Sequence, residues 1–110
     1  MYKQVADSMK AFNPNIKIGC PGAAKNAFYG GGNYISLNQS YISNFFQYCQ
    51  TNAVPLDFYS FHTYDRKNPY HIKQLADTIS YFLNQYGFNN TELIVSETNV
   101  NTGGFVNTGK

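Results

Sequence analysis

Three short runs of β-branched and aromatic residues, each preceded by an amphipathic helical stretch, set the tightest limit on what this chain can fold into. The runs are Ile16-Lys17-Ile18-Gly19-Cys20, Asp57-Phe58-Tyr59-Ser60-Phe61-His62 and Glu92-Leu93-Ile94-Val95-Ser96-Glu97. They read as near-continuous apolar segments rather than strict alternation, which is the pattern of parallel strands covered on both faces. Strands that alternate with helices of this length predict an α/β fold with a parallel sheet. The alternation does not separate an open sheet from a barrel.

The helices follow from apolar spacing. Tyr2, Val5, Ala6, Met9 and Phe12 recur on one face, and Asn13-Pro14 ends that helix because the residue before proline is pushed out of the helical region. Tyr41, Ile42, Phe45, Phe46, Tyr48 and Cys49 mark a second helix, with Ser40 as its N-cap and Asn52 and Pro55 closing it. Ile72, Leu75, Ala76, Ile79, Phe82, Leu83 and Tyr86 form the stripe of a third, and Gly87 sits at its C-terminal cap position. Pro21-Gly22 reads as a turn that ends the first strand, and residues 22–39 read as a long loop. Their run Gly30-Gly31-Gly32 has no following Lys-Ser or Lys-Thr, so it is no phosphate cradle. The chain of 110 residues fits one domain, with no linker or internal repeat.

Composition removes several function classes. The net charge is +2, with Lys and Arg scattered singly apart from Arg66-Lys67, so no basic stripe exists for nucleic acid. No apolar run reaches membrane-span length, and the residues after Met1 do not resemble a signal peptide. Two cysteines, Cys20 and Cys49, fall in apolar stretches and read as buried thiols, although one disulfide is conceivable. Aromatic residues reach 17%, which suits either core packing or a carbohydrate-lined surface. Sequons at Asn38 and Asn89 are expected by chance in so Asn-rich a chain.

In parallel α/β folds, ligands bind at the carboxyl ends of the strands. That rule selects Cys20-Pro21-Gly22, His62-Thr63-Tyr64 and Glu97-Thr98-Asn99. Acidic residues are few: Asp7, Asp57, Asp65, Asp77, Glu92 and Glu97. Among them Glu97 ends a strand, where it is expected to be held rigidly and partly desolvated, tuned by a neighbouring His and Tyr. Asp57 begins its strand and reads as a structural cap. His62, Asp65 and His71 match no metal-binding spacing. Cys20 beside His62 would permit thiol catalysis, without independent support.

These strand ends resemble glycoside hydrolase family 39, the β-xylosidase and α-iduronidase family. Ile16 to Ala24 is similar to the strand there that ends in two glycines and a proline, with Cys20 in place of a glycine. Asp57-Phe58-Tyr59-Ser60-Phe61-His62-Thr63-Tyr64 resembles the next strand, ending in His-x-Tyr. Leu93-Ile94-Val95-Ser96-Glu97-Thr98-Asn99 resembles the nucleophile strand, usually Thr-Glu-Trp-Asn, with Thr98 in place of the tryptophan. The resemblance implies residues 1–110 as a piece of a single (β/α)8 barrel, about three β/α units covering strands five to seven. It implies retaining hydrolysis of O-glycosidic bonds with Glu97 as nucleophile, Tyr64 hydrogen-bonded to it, His62 orienting it and Asn99 binding substrate. No cofactor or metal is implied, the partner is an oligo- or polysaccharide or other glycoside, and the family is compatible with an extracellular or cell-envelope setting. The acid/base glutamate would lie on a strand before Met1, so the isolated chain is expected to be inactive, and an open barrel segment with two exposed strand edges is expected to be poorly stable. The alternatives are a non-catalytic carbohydrate-binding or barrel-completing module, or an unrelated small α/β domain.

Overall fold

The three apolar runs pair with one another, all in the same direction. A computed structural model of the chain describes residues 1–23, 28–29, 36–37, 39–63 and 70–98. In order these form α1 (Tyr2–Phe12), β1 (Gly19–Ala23), β2 (Phe28–Tyr29), β3 (Ser36–Leu37), α2 (Gln39–Thr51), β4 (Phe58–Thr63), α3 (His71–Gln85) and β5 (Glu92–Thr98). β1, β4 and β5 make a parallel sheet in the order β1-β4-β5, while β2 and β3 form a separate antiparallel pair. Parallel neighbours require a crossover, and α2 and α3 occupy the two crossovers here.

β4 is the central strand and organises the core. Tyr59, Phe61 and Thr63 are buried on one of its faces. Tyr59 and Phe61 meet Ile42 and Phe46 of α2 and Leu75, Ile79 and Leu83 of α3 in one apolar cluster. Fully burying a side chain of this kind contributes about 1.5–3 kcal/mol. Phe46 and Tyr59 add an edge-on ring pair with centroids 5.1 Å apart. Part of the aromatic richness of the sequence is spent on this core, while Phe12, Tyr41, Tyr48, Tyr70 and Tyr81 are exposed. A second cluster joins Ala6, Ile18, Cys49 and Val54, so Cys49 is buried as expected. The side chain of Cys20 lies outside the described residues.

Both crossover helices end in the same hydrogen-bonded cap, in which two amides turn back onto the last carbonyls. For α3, Gly87 N–H donates to Asn84 O at 3.2 Å and Phe88 N–H to Leu83 O at 2.9 Å, with Gly87 at φ +83°. For α2, Ala53 N–H donates to Gln50 O at 3.3 Å and Val54 N–H to Cys49 O at 2.8 Å. Ala53 holds the left-handed position at φ 48° without being glycine.

Several boundaries differ from the sequence reading. The first strand begins at Gly19 and runs through Pro21-Gly22, which read as a turn. Residues 22–39 are not all loop, because they include β2 and β3. Ser40 lies inside the first turn of α2, which starts one residue earlier, and is not its cap. On α1 only Ala6 is fully buried, with the Tyr2 hydroxyl donating to Pro55 O at 3.0 Å, while Val5, Met9 and Phe12 remain exposed. No helix among the described residues is long and apolar enough to cross a membrane.

Asp57 ties the amino ends of the strands together. Its Oδ2 accepts from Ile18 N–H at 2.8 Å and pairs with Lys10 Nζ at 2.7 Å. Its own N–H donates to Ile18 O at 2.7 Å, and its carbonyl accepts from Glu92 N–H at 3.0 Å. Burial pushes the Asp57 carboxyl pKa up. The hydrogen bonds from Lys10 and Ile18 and the charges of Lys10 and Lys17 outweigh it and hold the group below its ordinary value. Because the folded pKa is the lower one, this stabilisation is present above the unfolded value of about 3.9 and is lost as pH falls through the folded value. Asp57→Ala should cost about 1–3 kcal/mol near neutral pH, the solvent-screened worth of the lost charged hydrogen bonds. The deficit should shrink below about pH 4, which urea titrations at the two pH values measure.

Candidate active site

The carboxyl ends of β4 and β5 bring His62 and Glu97 together. Glu97 Oε2 lies 3.5 Å from His62 Nδ1, with the His62 side chain 22% exposed and that of Glu97 54% exposed. This is ion-pair range when the imidazole is protonated, and longer than a strong hydrogen bond. Glu97 is less shielded than the sequence reading expected, because β5 is the edge strand of the described sheet.

How Glu97 comes to face His62 is a matter of register. Side chains alternate between faces along a strand. On β5, Leu93 and Val95 pack toward the helices with the core cluster, so regular alternation would send Glu97 the same way. The ladder instead matches Phe61 with Val95 and His62 with Glu97, leaving Ser96 as an extra residue. That single β-bulge turns Glu97 to the opposite face of the sheet, the one carrying Ser60 and His62. The Ser96 hydroxyl donates to Phe61 O at 3.4 Å across the bulge.

β1 has a matching irregularity. Pro21 pairs with Ser60 and Ala23 with Phe61, so Gly22 is the extra residue there. Gly22 adopts φ +63°, and a Cβ on it would sit 3.7 Å from His62 Nε2. Its N–H donates to the Ser60 hydroxyl at 2.9 Å. The imidazole therefore stands between the Gly22 backbone at one edge and the Glu97 carboxylate at the other.

Of the residues expected at the site, Glu97 and His62 meet, and Tyr64 and Asn99 lie outside the described residues. Cys20 stands at the register position of Tyr59, below the level of His62. Asp57 is at the far end of β4, and Glu92 opens β5 and pairs with Lys17. Asp7 and Asp77 pair with Lys3 and Lys73 one helical turn away, each at 2.5 Å. Asp65 is outside the described residues. Among those described, no three His, Cys, Asp or Glu side chains cluster to hold a metal ion.

Gly22 was placed at a strand end by the sequence, but its bulge was not foreseen, and Ser60 and Ser96 were not singled out. A Pro-Gly pair inside a strand is a bulge signal. On β5 the signal is a conflict: strict alternation from Leu93 and Val95 would direct a carboxylate toward the apolar helix layer.

Residues 1–95 match the family described as Glycosyl hydrolases family 39. In three dimensions, 88% of the chain superposes on the crystal structure of a glucosidase from Croceicoccus marinus, with TM-score 0.72 and 27% identity. The chain spans 19% of the length of that protein.

If the Ser96 bulge alone carries the mismatch, deleting Ser96 should straighten β5 and leave Glu97 opposite His62. A crystal structure of the deletion variant should keep the two side chains within about 4 Å. Glu97 found in the helix layer would refute this account of the register.

Proposed function

This chain belongs to glycosyl hydrolases family 39, and from that premise we propose that it supplies the nucleophile of a retaining O-glycosidase. The pairing of Glu97 with His62 at the carboxyl ends of adjacent parallel strands carries the reading. On it, the chain is one piece of a single (β/α)8 barrel, with β1, β4 and β5 as strands five, six and seven. The sheet face bearing Ser60, His62 and Glu97 is then the barrel interior, and the face bearing Tyr59 and Phe61 is the one the outer helices cover.

The chemistry follows from the placement. The Glu97 carboxylate attacks the anomeric carbon of a glycoside, and the bond from that carbon to the leaving-group oxygen breaks. The leaving oxygen takes a proton from a second carboxylic acid. Water then attacks the glycosyl ester, giving its proton to the second carboxylate and freeing Glu97, so configuration at the anomeric carbon is retained. His62 holds Glu97 in its attacking rotamer, Tyr64 donates a hydrogen bond to it, and Asn99 binds the sugar. The substrate is a carbohydrate glycoside, and the reaction needs neither metal nor cofactor.

Retention requires the two carboxyl groups to be about 5–5.5 Å apart. Among the described residues the other carboxylates sit on helices or at the amino ends of strands: Asp7 on α1, Asp77 on α3, Asp57 before β4 and Glu92 at the start of β5. Glu92 is five residues from Glu97, about 16 Å along a strand. Asp65 lies outside the described residues; on the family likeness we place the proton donor elsewhere in a longer polypeptide, a reading supported by the chain's 19% share of the glucosidase's length.

In that longer enzyme, Glu97→Gln should lower kcat at least roughly a thousandfold on an aryl glycoside. Azide added to Glu97→Ala should restore turnover and yield the glycosyl azide of inverted configuration. The isolated 110-residue chain should show no turnover. Unchanged kinetics in Glu97→Gln would remove Glu97 from the mechanism. Sugar binding that survives without any hydrolysis would favour a non-catalytic carbohydrate-binding module.

A further inference from the structure

We propose that Ser60 is a positioning residue for the active site: by capturing the Gly22 N–H it locks the β1 bulge that keeps His62 turned toward Glu97. The inference rests on Glu97 as nucleophile only for its catalytic consequence. Its structural content stands on the sheet geometry.

The need for Ser60 begins with Pro21. A proline has no N–H, so at the register position opposite Ser60 β1 offers β4 no ladder donor. The next donor along β1 is Gly22, the bulged residue, whose amide donates to a side chain. That side chain is Ser60, itself only 8% exposed, at a hydrogen-bond length of 2.9 Å. Without the hydroxyl, the Gly22 amide would be left without this acceptor at a part-buried position, where a desolvated donor is unfavourable. The bulge would then shift to find another acceptor.

A shift at Gly22 reaches His62 directly. Ser60 and His62 are two apart on β4 and share a face, and the Gly22 α-carbon lies over the pair. A Cβ built there would be 4.0 Å from Ser60 Oγ and 3.7 Å from His62 Nε2. The Gly22 backbone thus faces the Nε2 edge of the ring, near enough that one added carbon would touch it. Glu97 is on the Nδ1 edge. A shift of that backbone changes the space beside the Nε2 edge, lets the imidazole turn about its side-chain bonds and opens the Nδ1 to Glu97 approach. Small displacements of this kind are costly where reacting groups must be aligned.

The test compares Ser60→Ala with Ser60→Thr, which keeps the hydroxyl, in the full-length enzyme. In crystal structures the wild type and Ser60→Thr should keep His62 Nδ1 within about 4 Å of Glu97, and Ser60→Ala should not. In kinetics, Ser60→Ala should lose roughly tenfold in kcat with KM changed less than about twofold, and Ser60→Thr should recover it. An unchanged His62–Glu97 separation in Ser60→Ala overturns the proposal, as does an active Ser60→Ala enzyme with wild-type kcat. Should Ser60→Thr misfold, hydrogen exchange at Gly22 decides: faster exchange in Ser60→Ala supports the bond, and equal protection refutes it. A wild-type enzyme that hydrolyses no glycoside would defeat the catalytic reading, while the structural comparison would still judge Ser60.

Discussion

The sealing of one face of β4 against α2 and α3 decides where every other side chain on the sheet points. Tyr59 and Phe61 are fully buried there with Phe46, Ile42 and Ile79, so the strand cannot slip by one residue without exposing them. His62 is thereby directed to the other face. The neighbours of β4 must then adjust to it, which they do at their carboxyl ends.

The two ends of the sheet are built differently. At the amino end Asp57 binds β1 through both its backbone and its carboxylate, and its carbonyl holds the first amide of β5. The ladder there is regular. At the carboxyl end both outer strands carry an extra residue, Gly22 on one side and Ser96 on the other, flanking His62. A tight, charge-assisted end gives the sheet its register, and the irregular end spends that register on aiming side chains. Bulges beside functional sites commonly do this.

Much of this was legible in the sequence, for identifiable reasons. The stripes on α2 and α3 hold, apart from the exposed Tyr41 and Tyr48 on α2, because a face packed on a core must repeat every three to four residues, and Gly87 marked its helix end as glycine caps do. Parallel pairing followed from helices alternating with apolar runs. The end of β1 was misplaced because Pro21 and Gly22 signal a turn, whereas here they continue the strand through a bulge. The apolar face read on α1 is only partly buried, because periodicity records what a helix can bury, not what lies beside it. The position of Glu97 at a strand end was readable, and its facing was not: alternation points it at the helices, and only the pairing with β4 reveals the extra residue. Its shielding was overestimated because a strand's place at the sheet edge is a property of topology. Tyr64 and Asn99 remain assigned by family likeness.

The central claim is that the Glu97 carboxylate, presented by the Ser96 bulge, is the group that bonds to the sugar. A slowly turning-over 2-deoxy-2-fluoro glycoside, incubated with the full-length enzyme, would accumulate the glycosyl ester if one forms. Peptide mass spectrometry of the digest should find one fluorosugar on the peptide containing Glu97, and none in Glu97→Gln. Label on a different carboxylate, with Glu97 unmodified, would contradict the account.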